Sequence, residues 1–349
     1  MKEKKLMKKI IKRRNHFVPE MYLKSWSYDT SRIMEYRLLV AHEKEYLWKP
    51  SPIAGTAKID NLYVRIENGE ETDDFEDMFN HKYESKTKAI IDKICCDSTL
   101  SADEWKQIID FVIVQIVRTP AFYSKILPVM IKIVDNSLEK CMDKLTKIDF
   151  ESLKDEEYKE MGKVDLPVSI QTIADNNDNE CKIVKVSASV GKNLWLWSIE
   201  NSFVKVLQRL HDFEWSILSS DEKCKWPTSD NPVICLNRYS KDPYDFWGVV
   251  GHIGNEIIFP ISPYKALYVQ IGKVYPRNIK LSFDASKRLK ELIVNNAFRS
   301  VYCDKKDEEI PQIRPRTVDL KRFQEDRALV EEWYDVYKEQ EGDFIRKLD

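Results

Sequence analysis

Four side chains stand out for the chemistry they could carry: His16, Glu84, Arg118 and Asp230. An imidazole that titrates near neutrality can serve as general acid, general base or metal ligand. His16 lies in Asn15-His-Phe-Val-Pro19, a setting that would equally suit a turn in which the ring ties two backbone segments together. Asp230 lies in Trp226-Pro-Thr-Ser-Asp-Asn-Pro-Val-Ile-Cys-Leu-Asn237. Thr228 to Asn231 can bond their own backbone, and Pro232 forces Asn231 to be extended and then opens a short apolar strand. The carboxylate is therefore expected at a strand mouth, as a catalytic group or as an Asx turn that only shapes the loop. Arg118 ends an apolar helix, where it could hold a phosphate or carboxylate, or form an internal ion pair with Asp230 or Glu84.

Glu84 shares a helical face with Asp77 and His81, a carboxylate-imidazole-carboxylate spacing that a metal site could use. At about 100° per residue, that face points away from the stripe of Phe75, Phe79, Tyr83 and Ile90, so solvent is expected there unless another layer covers it. Two fragments resemble the acid-acid-x-Lys arrangement of metal-dependent nucleases: Asp74 with Glu84-Ser85-Lys86, and Asp165 with Glu180-Cys181-Lys182. That chemistry needs the last carboxylate and the lysine on one strand beside the first acid, to hold a divalent ion and a water. The first fragment falls on an expected helix and the second on an expected strand. A chain with 33% charged residues also produces Glu-x-Lys by chance. A divalent metal is the one cofactor these residues bring to mind. His42, His211 and His252 have no motif around them and read as surface or packing residues.

The elements that must position these groups follow from periodicity. Strands are expected at Ile33 to Leu39, Glu45 to Trp48 and Leu62 to Ile66. A helix from Asp73 to Ile94 opens on a capping box. A second box, Ser101 with Glu104, opens a helix from Trp105 to Val117 that is apolar on nearly every side and so should be central and buried. Further helices are expected at Ala121 to Leu145, Lys192 to Leu210, Ala285 to Tyr302 and Asp319 to Lys338. Strands are expected at Cys181 to Val186, Phe213 to Leu218 and Val233 to Leu236, the last two as an antiparallel pair. Glu256 to Pro263 and Ala266 to Ile271 form a second such pair. The expectation is an α+β fold, a mixed and mostly antiparallel sheet packed with a helical layer. It divides into a basic arm (1–14), one domain (15–305, with an excursion at 148–165) and a helical extension (306–349).

Composition bounds the function classes. The 349 residues are 43% hydrophobic, enough for a substantial core, and 56 basic against 58 acidic side chains argue neither for nor against nucleic acid. The first fourteen residues, however, carry eight cations and one acid. Lys8, Lys9, Lys12, Arg13 and Arg14 of this arm could grip phosphates, or form a solvated tail. Seven cysteines without a C-x-x-C point to a reducing compartment, and no apolar run suits a signal peptide or a membrane span, so the cytoplasm is the expected location. Nine glycines leave little room for a phosphate cradle. No Walker loop, nucleophile elbow, zincin helix or dinucleotide fingerprint is present.

Asn15-His-Phe-Val-Pro19 with Tyr22, Leu23 and Trp26, a Phe-Glu-rich helix with Glu84, Arg118-Thr-Pro, Thr228-Ser-Asp-Asn-Pro, Phe259-Pro-Ile-Ser-Pro and Val294-Asn-Asn296 together resemble the prokaryotic family called domain of unknown function 4238. The resemblance runs from about Asn15 to about Cys303, with Trp26 standing where the family usually has Phe. It implies a role in defence against phage and carries no settled reaction. The matched positions are His16, Pro19, Glu84, Arg118, Asp230, Asn231, Pro232 and Asn295 or Asn296, with Pro19, Asn231 and Pro232 as structural turn residues. The resulting expectation is a defence effector that acts on nucleic acid as a phosphodiester hydrolase. In it His16 is acid or base, Asp230 and Glu84 position a metal or water, and Arg118 or the arm holds phosphate. The alternatives are a non-enzymatic sensor that recognises a phage component, and an enzyme that modifies a nucleotide or protein.

Overall fold

Ser101 fixes where the central helix begins. Its hydroxyl accepts from the Glu104 amide while the Glu104 carboxylate accepts from the Ser101 amide, the expected capping box. The helix Ala102–Val117 that follows is buried along Ile108 to Val117 with the exception of Asp110, as its nearly continuous apolar sequence requires. The computed structural model describes residues 11–67, 70–145, 168–174, 182–188, 191–237, 245–246 and 252–331. The chain divides into two compact units, one of residues 1–121 and 204–349 and one of residues 122–203.

In the first unit, five strands pair in the order Ile234–Leu236, Glu256–Ser262, Lys265–Gln270, Ser216–Ser219, Asn278–Lys280. All pairings are antiparallel except the last. A second, antiparallel sheet has the order Thr228–Ser229, Ser300–Cys303, Arg32–Arg37, Lys49–Pro52. Arg14–His16 pairs with Lys58–Asp60, and Thr317–Val318 lies parallel to Leu39–Val40. The helix Phe283–Asn296 serves both sheets. Leu289 and Ile293 pack with Leu218, Trp226, Ile234 and Ile258, while Val294 packs with Tyr36, Trp48 and Val301. The class is α+β, with mostly antiparallel sheets and a helical layer.

In the second unit, the strands Val168–Ala174 and Lys182–Ala188 form an antiparallel hairpin. A helix Lys192–Ser198 runs into a π-turn at Ile199–Phe203. Aromatic pairs, Tyr123 with Trp195 and Phe122 with Phe203, pack within it, each with ring centroids 5.2 Å apart. The expected excursion at 148–165 lies outside the described residues.

Several expectations are corrected. Ser216–Ser219 and Ile234–Leu236 share a sheet but do not pair, because Glu256–Ser262 and Lys265–Gln270 lie between them. The intervening Thr228–Ser229 crosses to the other sheet and pairs with Ser300–Cys303. The expected strand Glu45 to Trp48 forms instead at Lys49–Pro52. The expected helix Asp73 to Ile94 is three pieces, Asp74–Met78, a π-segment Phe79–Glu84 and Thr87–Cys95. Its capping box does not form, since the Asp73 carboxylate accepts from the Lys12 amide at 2.8 Å. The helix expected to reach Tyr302 stops at Asn296, because the next amides are captured by Asp230 and Val301 and Tyr302 enter a sheet.

Candidate functional site

His16 ends the Arg14–His16 strand and Pro19 opens the short helix Glu20–Leu23, its carbonyl accepting from the Tyr22 and Leu23 amides. The opening segment is tied from several sides. The Asn15 side chain accepts from the Tyr63 amide and donates to the Lys12 carbonyl and to Glu76, and Gln115 of the central helix donates to the Phe17 carbonyl at 2.6 Å. Tyr22 Oη bonds Thr228 and donates to the Pro260 carbonyl, and Trp26 Nε1 donates to the Trp226 carbonyl. The three most recognisable stretches of the sequence therefore meet in space.

His16, Glu84 and Arg118 line one open pocket of about 610 Å³, together with Lys12, Glu20, Lys24, Glu76, His81 and Lys88. Arg118 is 1% exposed and every part of its guanidinium is used. Nη1 donates to Glu84 at 2.5 Å, Nη2 to the His16 carbonyl and Nε to Tyr63 Oη at 3.3 Å, while the Tyr63 hydroxyl donates to the Arg118 carbonyl. The guanidinium lies 4.5 Å from the Phe79 ring centroid. Of the two ion pairs open to Arg118 in the sequence, the structure forms the one with Glu84. The π-segment explains why Glu84 turns inward rather than to solvent: a residue added to the helical turn rotates everything after it. The Asp77, His81 and Glu84 face is thereby divided, with Asp77 paired to Lys12 at 2.8 Å.

The His16 ring differs from its neighbours. Its Nε2 is buried, has no hydrogen-bond partner and lies 3.6 Å from the Glu20 carboxylate, while the Ala54 backbone bonds the ring. Burial pushes this imidazole below its usual range and Lys58 and Arg118 add to that, against an opposing pull from Glu20. Burial also raises the Glu76 carboxyl, with nearby Glu84 adding to the rise and Arg118 opposing it.

Asp230 is elsewhere. It lines a different pocket of about 470 Å³ with Glu35, Arg37, Lys49, Lys58, Arg299 and Tyr302 among others. One carboxylate oxygen accepts from the Phe298 amide at 2.8 Å and the other from the Arg299 amide at 2.7 Å. Burial pushes its pKa up to about 6, against the pull of those amides. Asn231 donates to the Asn296 carbonyl, and Asn296 donates back to the Asn231 and Val233 carbonyls. Asp230, Asn231 and Asn296 thus build a clamp that ends one helix and joins it to the strands on either side. Glu84 and Asp230 do not meet, so they hold no ion together. Among the described residues no group of three or more His, Cys, Asp or Glu side chains is placed to hold a metal ion.

Lys8 and Lys9 of the arm, and Asp165 and Glu180 of the second nuclease-like fragment, lie outside the described residues. Lys12 is paired to Asp77, Arg13 bonds Glu71 and Asn61, and Arg14 is exposed. Sequence reasoning missed Glu20, Glu76 and Tyr63 around His16, and Glu35 and Arg37 beside Asp230. Glu20 alone carried a signal, four residues after His16.

No helix among the described residues is long and apolar enough to cross a membrane. No curated protein and no solved structure matches the chain. A family model described as "Protein of unknown function (DUF4238)" matches residues 14–307, most of the chain, and the chain therefore belongs to that family.

Proposed function

We propose that this chain is an anti-phage defence effector that acts on nucleic acid, as a phosphodiester hydrolase whose reaction is centred on His16. The observation that carries this reading is a neutral-leaning imidazole in the wall of an open pocket edged by Lys12, Lys24 and Lys88, its buried Nε2 without a hydrogen bond and 3.6 Å from the Glu20 carboxylate. With the other ring nitrogen held by the Ala54 backbone, Nε2 becomes the acceptor for a proton from an incoming hydroxyl once the half-exposed Glu20 carboxylate and the ring shift to open it to the pocket. The attacking oxygen bonds to phosphorus as that proton passes to His16. The bond to the leaving oxygen breaks, and His81 in the same pocket returns a proton to it. Lys24 and Lys88, with Arg14 of the arm, attract the phosphates. Arg118 and Glu84 hold the His16 segment in place and do not touch substrate. The test is cleavage of end-labelled single- and double-stranded RNA and DNA, with and without magnesium or manganese, by the full chain and by His16→Gln. Loss of cleavage without loss of folding supports the reading; an active His16→Gln overturns it.

A second reading, an interaction protein that senses a phage component, is favoured by one specific observation. Arg118, Glu84 and both oxygens of Asp230 are satisfied inside the protein, as fold-building groups are. Under that reading no substrate is cleaved.

A further inference from the structure

A cavity of about 840 Å³ is lined by residues remote in sequence from His16 and belongs to no motif. Ala102, Trp105, Lys106, Ile109 and Asp110, successive positions on one face of the central helix, form one wall. Lys82 and Tyr83 of the π-segment, Gln208, His211, Phe213, Glu214 and Trp215, and Arg277 form the rest, so that Asp110, bonded to His211, and the exposed Glu214 are its two carboxylates. Two features are unusual together. The first is an accumulation of aromatic rings, with Trp105 and Phe213 half-buried beside the buried Tyr83 and Trp215. The second is charge: Lys82, Lys106 and Arg277 are all exposed, and none forms an ion pair with a carboxylate among the described residues. Arg277 is placed by the Trp215 carbonyl, to which Nη1 donates at 2.7 Å, and its guanidinium lies 4.6 Å from the Trp105 ring centroid. Asp110 accepts or shares the proton of His211 Nε2 at 2.9 Å, which fixes the imidazole against the cavity wall.

We propose that this cavity binds a nucleobase carrying a phosphate, either as a free nucleotide or as one residue of a single strand. Rings that are half-buried offer a stacking face to a planar base, and stacking of this kind tolerates every base. Three cations without acid partners supply the complement to a phosphate, and Arg277, bridging ring and rim, can serve both parts at once. A phosphate alone would not use the rings and an uncharged base would not use the cations, so each half should bind more weakly than the whole. The site does not depend on cleavage at the His16 pocket, and it shares no residue with it.

Titration calorimetry of the full chain with the four nucleoside monophosphates, adenosine, inorganic phosphate and short single-stranded oligonucleotides tests the proposal. Saturable binding is expected for a monophosphate or an oligonucleotide, with adenosine and phosphate at least about tenfold weaker, on the order of 1.4 kcal/mol. Binding by monophosphates identifies the free nucleotide as sufficient; binding by oligonucleotides alone identifies the strand. Trp105→Leu and the exposed Arg277→Gln should each weaken monophosphate binding by at least about tenfold, again on the order of 1.4 kcal/mol. Arg277→Gln carries the test should Trp105→Leu fail to fold. No saturable binding by any probe, or binding that Arg277→Gln leaves unaltered, overturns the proposal.

Discussion

His16 is neutral-leaning because the protein surrounds it, and that makes a prediction with a definite sign. Burial places its folded pKa below the 6.5 of an exposed imidazole, so in mild acid the native state binds fewer protons than the unfolded chain. The stability it contributes is complete above pH 6.5 and is lost as pH falls through the lower folded value. Urea unfolding of the wild type should therefore show an extra loss in mild acid that His16→Gln lacks, and any cleavage should have an acid limb below pH 6.5. Asp230 has the opposite sign, its pKa being raised from 3.8 to about 6. Its contribution is complete below pH 3.8 and is lost as pH rises through about 6, so the unfolding free energy of Asp230→Asn should lack that decline. The asparagine cannot accept both the Phe298 and Arg299 amides, and the one left unsatisfied should lower stability by about 1–3 kcal/mol at any pH. Arg118→Met leaves the Glu84 carboxylate without its cation. A loss of about 1–3 kcal/mol in chemical denaturation is expected, because the His16 carbonyl loses its donor while Glu84, on the open pocket, can still reach water.

At the scale of elements, the clamp between Asp230-Asn231 and the end of the Phe283–Asn296 helix joins that helix to the strands on either side. Asn296→Ala removes both its bonds and leaves the Asn231 and Val233 carbonyls unpaired. About 2–4 kcal/mol of destabilisation is expected, read as a lower urea midpoint. Elements whose cause is local were legible in the sequence: the Ser101 capping box, the apolar Ala102–Val117 helix, the Glu256–Ser262 and Lys265–Gln270 hairpin. Elements decided by distant partners were not. Nothing near Asp73 shows that its carboxylate is taken by Lys12, and nothing near Val301 shows that a strand replaces the helix there. Likewise His16, Glu84, Arg118 and Asp230 were all grouped from family motifs, and only the first three line one pocket. The true partners of Asp230, two amides about seventy residues later, carry no side-chain signature.

At the scale of the whole molecule, the family-forming stretches meet at one seam: Tyr22 and Trp26 on Thr228, Trp226 and Pro260, and Arg118 on the His16 carbonyl. Much of what marks the family in sequence thus holds the opening segment against the central helix and the sheets. That leaves the His16 ring, which lines an open pocket, as a matched polar group whose buried Nε2 has no hydrogen bond. If this pocket takes a nucleic acid through its lysine rim, binding should weaken as salt rises, with a slope set by the number of phosphates engaged. The most direct measurement is the rate of cleavage of end-labelled RNA and DNA by the wild type and by His16→Gln, with thermal unfolding of both in the same buffer. The account predicts cleavage by the wild type and a loss of about 100-fold or more in His16→Gln, with little change in melting temperature. Equal rates for the two proteins, or intact substrates throughout, would contradict it.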